Sequence, residues 1–441
     1  MELISSYGIE IKRLGKKMLL PTITIYNQAV SFCVEVFEKE WANIDCIKDT
    51  MKQKAYAEKL IHSTKNNKAK YDFDNRFYKM PSYMRRSVIN SALGHLSSYH
   101  SQIINWEKAG CKTKKPSFQK KLHLCPTFYR DNMYKEDNIN KDKVQLKLFI
   151  DNDWKWVDVK LKHTDMQYIR KYLLHADMSA PVLQKIHHKW FLRFSFSEFF
   201  SLNHTPIENQ TILAVDLGIN TDATCSVMRS DGTILARKFI NFPSEKDLIY
   251  HTLNKIKRIS KKYGSHNTMR MWRYATFRNT ELSRKIAKAI ADYAIEQKVD
   301  TIVFEYLDTQ GKKKGKMKQK LHMWRKSAIQ GYVKHKAHKN GIRISRICAW
   351  NTSKLAYDGS GTVLRGKEAG FATNKICKFS NGKTYNCDLS ASYNIGARYF
   401  IREIQKTQPE KDWSHILAKV PECEKRTRCT YHSLLKLIEA M

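Results

Sequence analysis

Residues 211–220 read T-I-L-A-V-D-L-G-I-N, and the fold turns on how that stretch is read. A run of apolar residues bounded by a polar loop is the pattern of a buried strand. The strand delivers Asp216 at its end, beside Gly218, where the backbone is free to turn sharply. A carboxylate there is costly unless something pairs with it. Two later segments repeat the arrangement. T-I-V-F-E-Y-L-D (301–308) is a second apolar strand carrying Glu305, and N-C-D-L-S-A-S-Y-N-I (386–395) puts Asp388 at the head of a helical pattern. The expectation is that Asp216, Glu305 and Asp388 meet and hold metal.

Around the first strand lie A-T-C-S-V-M-R (223–229) and T-I-L-A-R-K-F-I (233–240), joined by a hairpin turn at Ser230, Asp231 and Gly232. Ser244 with Asp247 predicts a capping box opening a basic helix that ends at Gly264. A helix over about 280–298 puts Leu282, Ile286, Ala289, Ile290 and Tyr293 on one face before the Glu305 strand. Then come the basic loop G-K-K-K-G-K-M-K-Q-K (311–320), a helix near 324–339 and a third apolar strand, G-I-R-I-S-R-I-C (341–348). Three strands, helices, strand, helix, strand, helix is the layout of an RNase H-like domain. A right-handed crossover lays the Glu305 strand parallel and adjacent to the Asp216 strand. The last helix can then swing its first turn into the same crevice.

The first half of the chain has a different texture. Residues 1–24 read as a strand, and a helix is expected over about 25–43, with Tyr26, Val30, Cys33, Val34, Phe37 and Trp41 at helical spacing as core. Residues 82–107 give a second amphipathic helix, with Met84, Val88, Ala92, Leu96, Tyr99 and Ile103 on one side and Arg85, Arg86 and His95 elsewhere. Such helices either grip a phosphate backbone or form an ordinary bundle with a solvated exterior. From residue 114 short alternating runs follow, V-Q-L-K-L-F-I, W-K-W-V-D-V-K-L and K-W-F-L-R-F-S-F-S, which predict β-hairpins in a barrel or meander. Exposed lysines there, with Trp154, Trp156, Trp190 and Phe191, suit RNA or single strands whose bases stack on rings. Most of those aromatics are nevertheless expected in the core. The polar run S-L-N-H-T-P-I-E-N-Q (201–210) reads as a linker.

Composition bounds the function. A chain of 441 residues with 42% hydrophobic content can build several real cores and is not a disordered protein. Lysine and arginine number 79 against 42 acidic residues, a net charge of +37. Such an excess calls for a polyanion, and because it is spread from Lys12 to Lys436 an extended surface rather than a tail makes the contacts. The bland alternative is a ribosomal-type or membrane-surface protein. No secretory signal and no run of about 18 apolar residues is visible. Ten cysteines without disulfide-like spacing fit a reducing cytosol. A cytoplasmic location in a prokaryotic cell is expected. D-L-G-I-N-T also resembles the phosphate loop of actin-like and sugar-kinase ATPases, but no second D-x-G loop follows on a strand end.

With the three carboxylates in place, residues 206–403 resemble the TnpB family of transposon-encoded nucleases and the related compact type V CRISPR effectors. The resemblance is carried by V-D-L-G-I-N, I-V-F-E-Y-L, K-A-H-K-N-G-I-R-I-S-R-I-C-A-W-N-T-S and D-L-S-A-S-Y-N-I-G-A. Thr352 and Ser353 fall on the family's Thr-Ser turn, and Asp388, Ala391, Asn394 and Ile395 on its D-x-N-A-A-x-N-I. The resemblance implies a multidomain α+β chain. Residues 1–24 would be the first strand of a wedge domain, 25–112 a helical recognition domain and 113–205 the wedge β-barrel. Residues 206–441 would be a RuvC-like α/β nuclease domain with a nucleic-acid-binding insert at about 351–387.

It further implies an RNA-guided DNA endonuclease with guide RNA and target DNA as partners and no membrane. Guide pairing would read sequence while the protein holds the heteroduplex backbone. A guide-loaded binding protein without cleavage and an unguided RNase H-like nuclease or transposase stay open beside it. The carboxylates suit two magnesium ions, with Asp216 bridging both, Glu305 on one and Asp388 on the other. Candidate nucleic-acid contacts are Arg85, Arg86, Arg270, Arg273, Arg278, Arg365 and Lys367.

The chain departs from the family at Ser390 and Ser392, and in the segment where the family carries a zinc ribbon of two C-x-x-C pairs. Ala356 and its neighbours replace the first pair, leaving Cys377 and Cys387. With Cys348 that makes three thiols where a closed zinc site takes four ligands. A zinc-free insert with a hairpin turning at Asn381 and Gly382 is expected.

Overall fold

A strand of alternating character opens the chain, Glu2–Arg13 (β1), and a computed structural model shows where it goes. The structure describes residues 1–14, 16–118, 123–137, 142–186, 188–307 and 323–441, so the basic loop at 311–320 lies outside the described residues. Two compact units are present, Glu2–Glu198 and Phe199–Met441, the latter joined by Met1.

In the first unit, Lys16–Lys39 (α1) runs through Pro21 rather than starting after it. This corrects the expected start near residue 25: a proline close to the helix N-terminus forfeits only one bond of a long ladder. Thr50–Ile61 (α2) is capped by Asp49, and Ser82–Lys108 (α3) packs on α1. Tyr26, Val30, Cys33, Val34 and Phe37 are buried against Met84, Val88, Ala92 and Leu96, as their spacing predicts. The Tyr26 hydroxyl lies 2.7 Å from the Ser91 hydroxyl and 3.1 Å from that of Ser87, so the phenol buried in this seam has its partners.

The strands of this unit are Tyr134–Glu136 (β2), Lys143–Ile150 (β3), Asp153–Leu161 (β4), Asp177–Met178 (β5), Val182–Ile186 (β6) and Lys189–Phe199 (β7). They form a seven-stranded sheet in the order β2-β3-β4-β1-β7-β5, with β6 on β7. Thus β1 is received between β4 and β7. Trp154 and Trp190 are buried, whereas Trp156 is half-buried with the Lys135 ammonium 4.6 Å from its ring centre.

The second unit is built on a five-stranded sheet: Thr211–Asp216 (β8), Ala223–Arg229 (β9), Ile234–Ile240 (β10), Thr301–Tyr306 (β11) and Arg343–Cys348 (β12), in the order β10-β9-β8-β11-β12. β8, β9 and β10 are antiparallel neighbours, and β11 lies parallel to both β8 and β12. The expected hairpin turn is present, with Gly232 at φ +83° and its N–H on the Arg229 carbonyl. Between β10 and β11 run Pro243–Tyr263 (α4) and Met269–Glu296 (α5). α4 has no side-chain cap. Pro243 starts it after Phe242, which corrects the predicted Ser244 capping box, because proline's fixed φ already suits a first helical position. α5 begins eleven residues earlier than its apolar stripe predicts, since that first part is mostly exposed and buries only Ala275 and Asn279.

Lys326–Lys339 (α6) connects β11 to β12. Beyond β12 a small three-stranded sheet forms from Leu364–Arg365 (β13), Ile376–Lys378 (β14) and Thr384–Asn386 (β15). Its β14–β15 hairpin turns at Asn381 and Gly382, as expected. Cys387–Thr407 (α7), Glu410–Lys419 (α8) and Tyr431–Ala440 (α9) complete the unit. The sheet separates two cores. Leu213, Val215, Ile302 and Phe304 face α4, α5 and α6, while Ile212, Ala214 and Val303 face α7 and α9. Among the described residues, no helix is long and apolar enough to cross a membrane.

Candidate active site

Side chains alternate along a strand, so the two cores fix where the next residue points. Ala214 and Val303 face α7, hence Asp216 and Glu305, two residues on, face it too. Register carries the pairing further: Val215 stands beside Phe304, which leaves Asp216 and Glu305 as the next step on adjacent parallel strands. The turn after Asp216 is tight. A Cβ on Gly218 would lie 2.5 Å from the Thr221 carbonyl oxygen, so only glycine fits.

Asp388 arrives from the other side. The Asn386 side chain accepts from the Leu389 N–H at 3.0 Å and starts α7 there, putting Asp388 in the first helical turn. That turn's free N–H groups favour a negative charge. Gly396 lets α7 lie close on the sheet, since a Cβ there would be 3.3 Å from that of Ala214. The Ser392 hydroxyl meets that of Ser226 on β9 at 3.0 Å, and Ser390 accepts from the Tyr357 N–H at 3.2 Å. Both serines that depart from the family pattern therefore carry hydrogen bonds of their own.

The electrostatics follow from this convergence. Burial first, then the charges of Glu305 and Asp388, hold the Asp216 carboxyl well above the usual carboxylate range, and the Arg365 guanidinium only partly offsets them. Burial likewise raises Glu305, against the hydrogen bond from the Thr352 hydroxyl and the charge of Arg398. Glu305 is 7% exposed. Its backbone carbonyl accepts from Gln330 at 3.0 Å, tying the strand end to α6. Among the described residues, no three His, Cys, Asp or Glu side chains are already gathered as a metal cage. The charges of Glu305 and Asp388 reach Asp216 and raise its proton affinity, but the three carboxylates are not drawn onto a common point.

Hard oxygen donors of this kind suit magnesium rather than a thiolate-bound metal. Arg365 sits on β13 with its Nη2 atom buried and, among the described residues, without a hydrogen-bond partner, and its charge reaches Asp216. A cation aimed at a carboxylate cluster is also placed to meet a phosphate's oxygens.

The wiring behind the carboxylates was not visible in the sequence. Asn394, fully buried, donates from Nδ2 to the Thr352 and Leu355 carbonyls and accepts at Oδ1 from the Tyr431 N–H, each at 2.9 Å. Arg398 donates to the carbonyls of Cys348, Trp350, Thr427 and Cys429. An asparagine and an arginine four apart on an apolar helix face were the available signal, because buried polar groups on such a face require partners.

Other expected contacts fall variously. Arg85 is buried and paired with Glu58 at 3.1 Å, so it braces α3 against α2 and is not the outward phosphate contact expected of it. Arg86 is exposed over the Tyr83 ring, 4.8 Å from its centre. Arg270, Arg273 and Lys367 are exposed, and Arg278 is half-buried near Glu245. The three thiols counted in the sequence do not sit together. Cys377 and Cys387 hydrogen-bond to each other in a small core with Ala356, Val363 and Phe379, whereas Cys348 is exposed on β12 outside it.

Comparison with known proteins agrees with the motifs. Residues 5–150 match the Aq_aa04 family. A TnpB-like protein of Aquifex aeolicus (strain VF5) is 25% identical over 207 residues, 42% of this chain and 65% of that protein. The chain thus spans slightly under two thirds of that relative. Among solved structures, Cas12f1 in a cryo-EM complex with sgRNA and target DNA superimposes with a TM-score of 0.51 at 15% identity, covering 86% of this chain and 81% of that one. The resemblance to TnpB-like proteins read from the motifs recurs in the sequence relative, and the mixed α+β architecture recurs in the solved structure.

Proposed function

We propose that this chain is an RNA-guided DNA endonuclease that hydrolyses phosphodiester bonds at one RuvC-like site made of Asp216, Glu305 and Asp388. The observation that carries the reading is the convergence of those carboxylates from β8, β11 and the first turn of α7 onto one face of the sheet. The net charge of +37 supports a polyanionic partner. The TnpB-like character of the Aquifex relative, and the sgRNA and target DNA held in the Cas12f1 complex, point the same way. In this reading residues 206–441 are the nuclease domain, and the first unit supplies recognition and wedge elements.

Hydrolysis of a phosphodiester joins a water oxygen to phosphorus, breaks one P–O ester bond and passes a proton to the departing oxygen. Asp216, Glu305 and Asp388 would hold magnesium. When bound, the metal supplies charge stabilisation to the phosphate and a more acidic water. The chain's own residues set the stage. Thr352 fixes one Glu305 oxygen, the α7 cap fixes the height of Asp388, and burial of Asp216 keeps bulk water from its carboxyl. Arg365 adds positive charge beside Asp216.

Sequencing the RNA that co-purifies with the protein tests the guided part. A discrete species with a fixed scaffold and a variable end is expected. Bulk RNA removed by salt would reduce the reading to an unguided nuclease.

A further inference from the structure

Behind the carboxylates, at the β12 edge of the second unit, lies a cavity of about 70 Å³ whose wall is unusually rich in arginine. Arg346 comes from β12, Arg398 and Arg402 from α7, and Arg426 from the turn before α9, with Gln405 beside them. Cys348, Cys423 and Cys429 stand in the same wall. Among the described residues, no carboxylate lines it. Four guanidinium groups around one small space would repel one another unless their charge is used.

Two of the four are committed. Arg398 directs its donors to the carbonyls of Cys348, Trp350, Thr427 and Cys429, so it holds the cavity's shape. Arg402 donates to the Ser345 hydroxyl, the Arg346 carbonyl and Glu403, whose carboxylate neutralises it. Arg346 and Arg426 are different. Both are exposed, and among the described residues neither side chain has a hydrogen bond or an ion pair. Two uncommitted guanidinium groups thus face a pocket shaped by two committed ones. A cavity needs roughly 10–15 Å³ of such space to hold a water, so 70 Å³ has room for a tetrahedral oxyanion. Planar forks of N–H donors match phosphate oxygens two at a time.

We infer that this cavity is an oxyanion site that takes a single phosphate group, gripped by Arg346 and Arg426 with Gln405 as a neutral donor. It belongs to neither the carboxylate cluster nor the basic helices. The chain's charge argues that the phosphate comes from a nucleic-acid backbone, and for that source alone the inference rests on the nucleic-acid reading above. A second copy of the chain, itself at +37, is repelled overall and is the poorer match.

The test uses the full chain and the variant Arg346→Gln/Arg426→Gln. Both side chains are exposed and make no contacts that folding needs, so an unchanged thermal unfolding curve is the entrance check. One arm titrates inorganic phosphate by calorimetry, and the other measures RNA affinity across a salt series. Saturable phosphate binding by the wild type, lost in the variant, is expected. A log–log salt slope shallower by about one in the variant is expected if the group is a strand phosphate. Phosphate binding lost in the variant with no change in salt slope assigns the site to a free phosphate instead. If the wild type binds no phosphate saturably and the salt slopes coincide, the oxyanion site is refuted, whether or not the chain proves to be a guided nuclease. If the variant cannot be folded, Arg426→Gln alone is put through the same two arms.

Discussion

Replacing Asn394 by alanine probes the wiring that holds the candidate site. Asn394 is fully buried and its amide is used three times, on the Thr352 and Leu355 carbonyls and the Tyr431 N–H. Alanine removes all three partners and leaves those backbone groups in surroundings that water enters poorly. Each buried group so orphaned costs about 1–3 kcal/mol. Allowing for relaxation around the two carbonyls, which lie three residues apart, the sum is about 3–5 kcal/mol. In a unit of this size one kcal/mol moves the midpoint by about 2–4 °C, so a fall of roughly 6–20 °C is expected.

Circular dichroism during heating reads it directly. Function should suffer as well, because the segment that Asn394 holds carries Thr352, and the Thr352 hydroxyl orients Glu305. A midpoint within about 2 °C of the wild type would refute the reasoning, since it would mean that the three bonds are not what fixes α7 to the segment before the small sheet.

Further outcomes follow from the carboxylates. Asp216 has a raised folded-state proton affinity, so the folded chain binds more protons than the unfolded one between the ordinary carboxylate range and its raised value. Stability contributed by the protonated form is full at low pH and falls as pH rises through that window. Asp216→Asn in chelator-containing buffer should therefore raise the unfolding midpoint at about pH 7.5 by at least roughly 2–4 °C, the equivalent of about 1 kcal/mol, and the gain should vanish as pH falls below about 4. A gain that grows on acidification would reverse the sign of the argument. Thr352→Val removes the hydrogen bond that holds Glu305's proton affinity down. The acidic limb of the cleavage–pH profile should move to higher pH, by an amount readable against the wild type, while an unmoved limb would separate Glu305 from the titration that governs rate.

Much of this fold could be read in the sequence because its signals are local. β8 and β11 are short apolar runs of strand length bounded by polar turns, β12 mixes isoleucine with polar residues, and connection rules alone set β11 beside β8. That brought Asp216 and Glu305 together, and Asp388 followed from the head of an apolar helix. The rest was hidden for physical reasons. Pro21 reads as a boundary, yet it sits near a helix start where its cost is small. Arg85 looks like surface in a helical plot because nothing in the periodicity announces Glu58 on another helix. Arg398 anchors four carbonyls that lie 29 to 50 residues away, so no window of sequence contains them.

Whether the three carboxylates are a metal-dependent cutting site is the central question, and one assay addresses it. DNA matching the co-purified RNA is incubated with wild type, Asp216→Ala, Glu305→Ala and Asp388→Ala, with and without magnesium, after each variant's RNA content has been measured. Cleavage by the wild type only when magnesium is present is predicted, with loss of at least about 100-fold in every variant and RNA binding retained. Cutting that persists in any of the three, or that proceeds unchanged in chelator, would contradict the assignment.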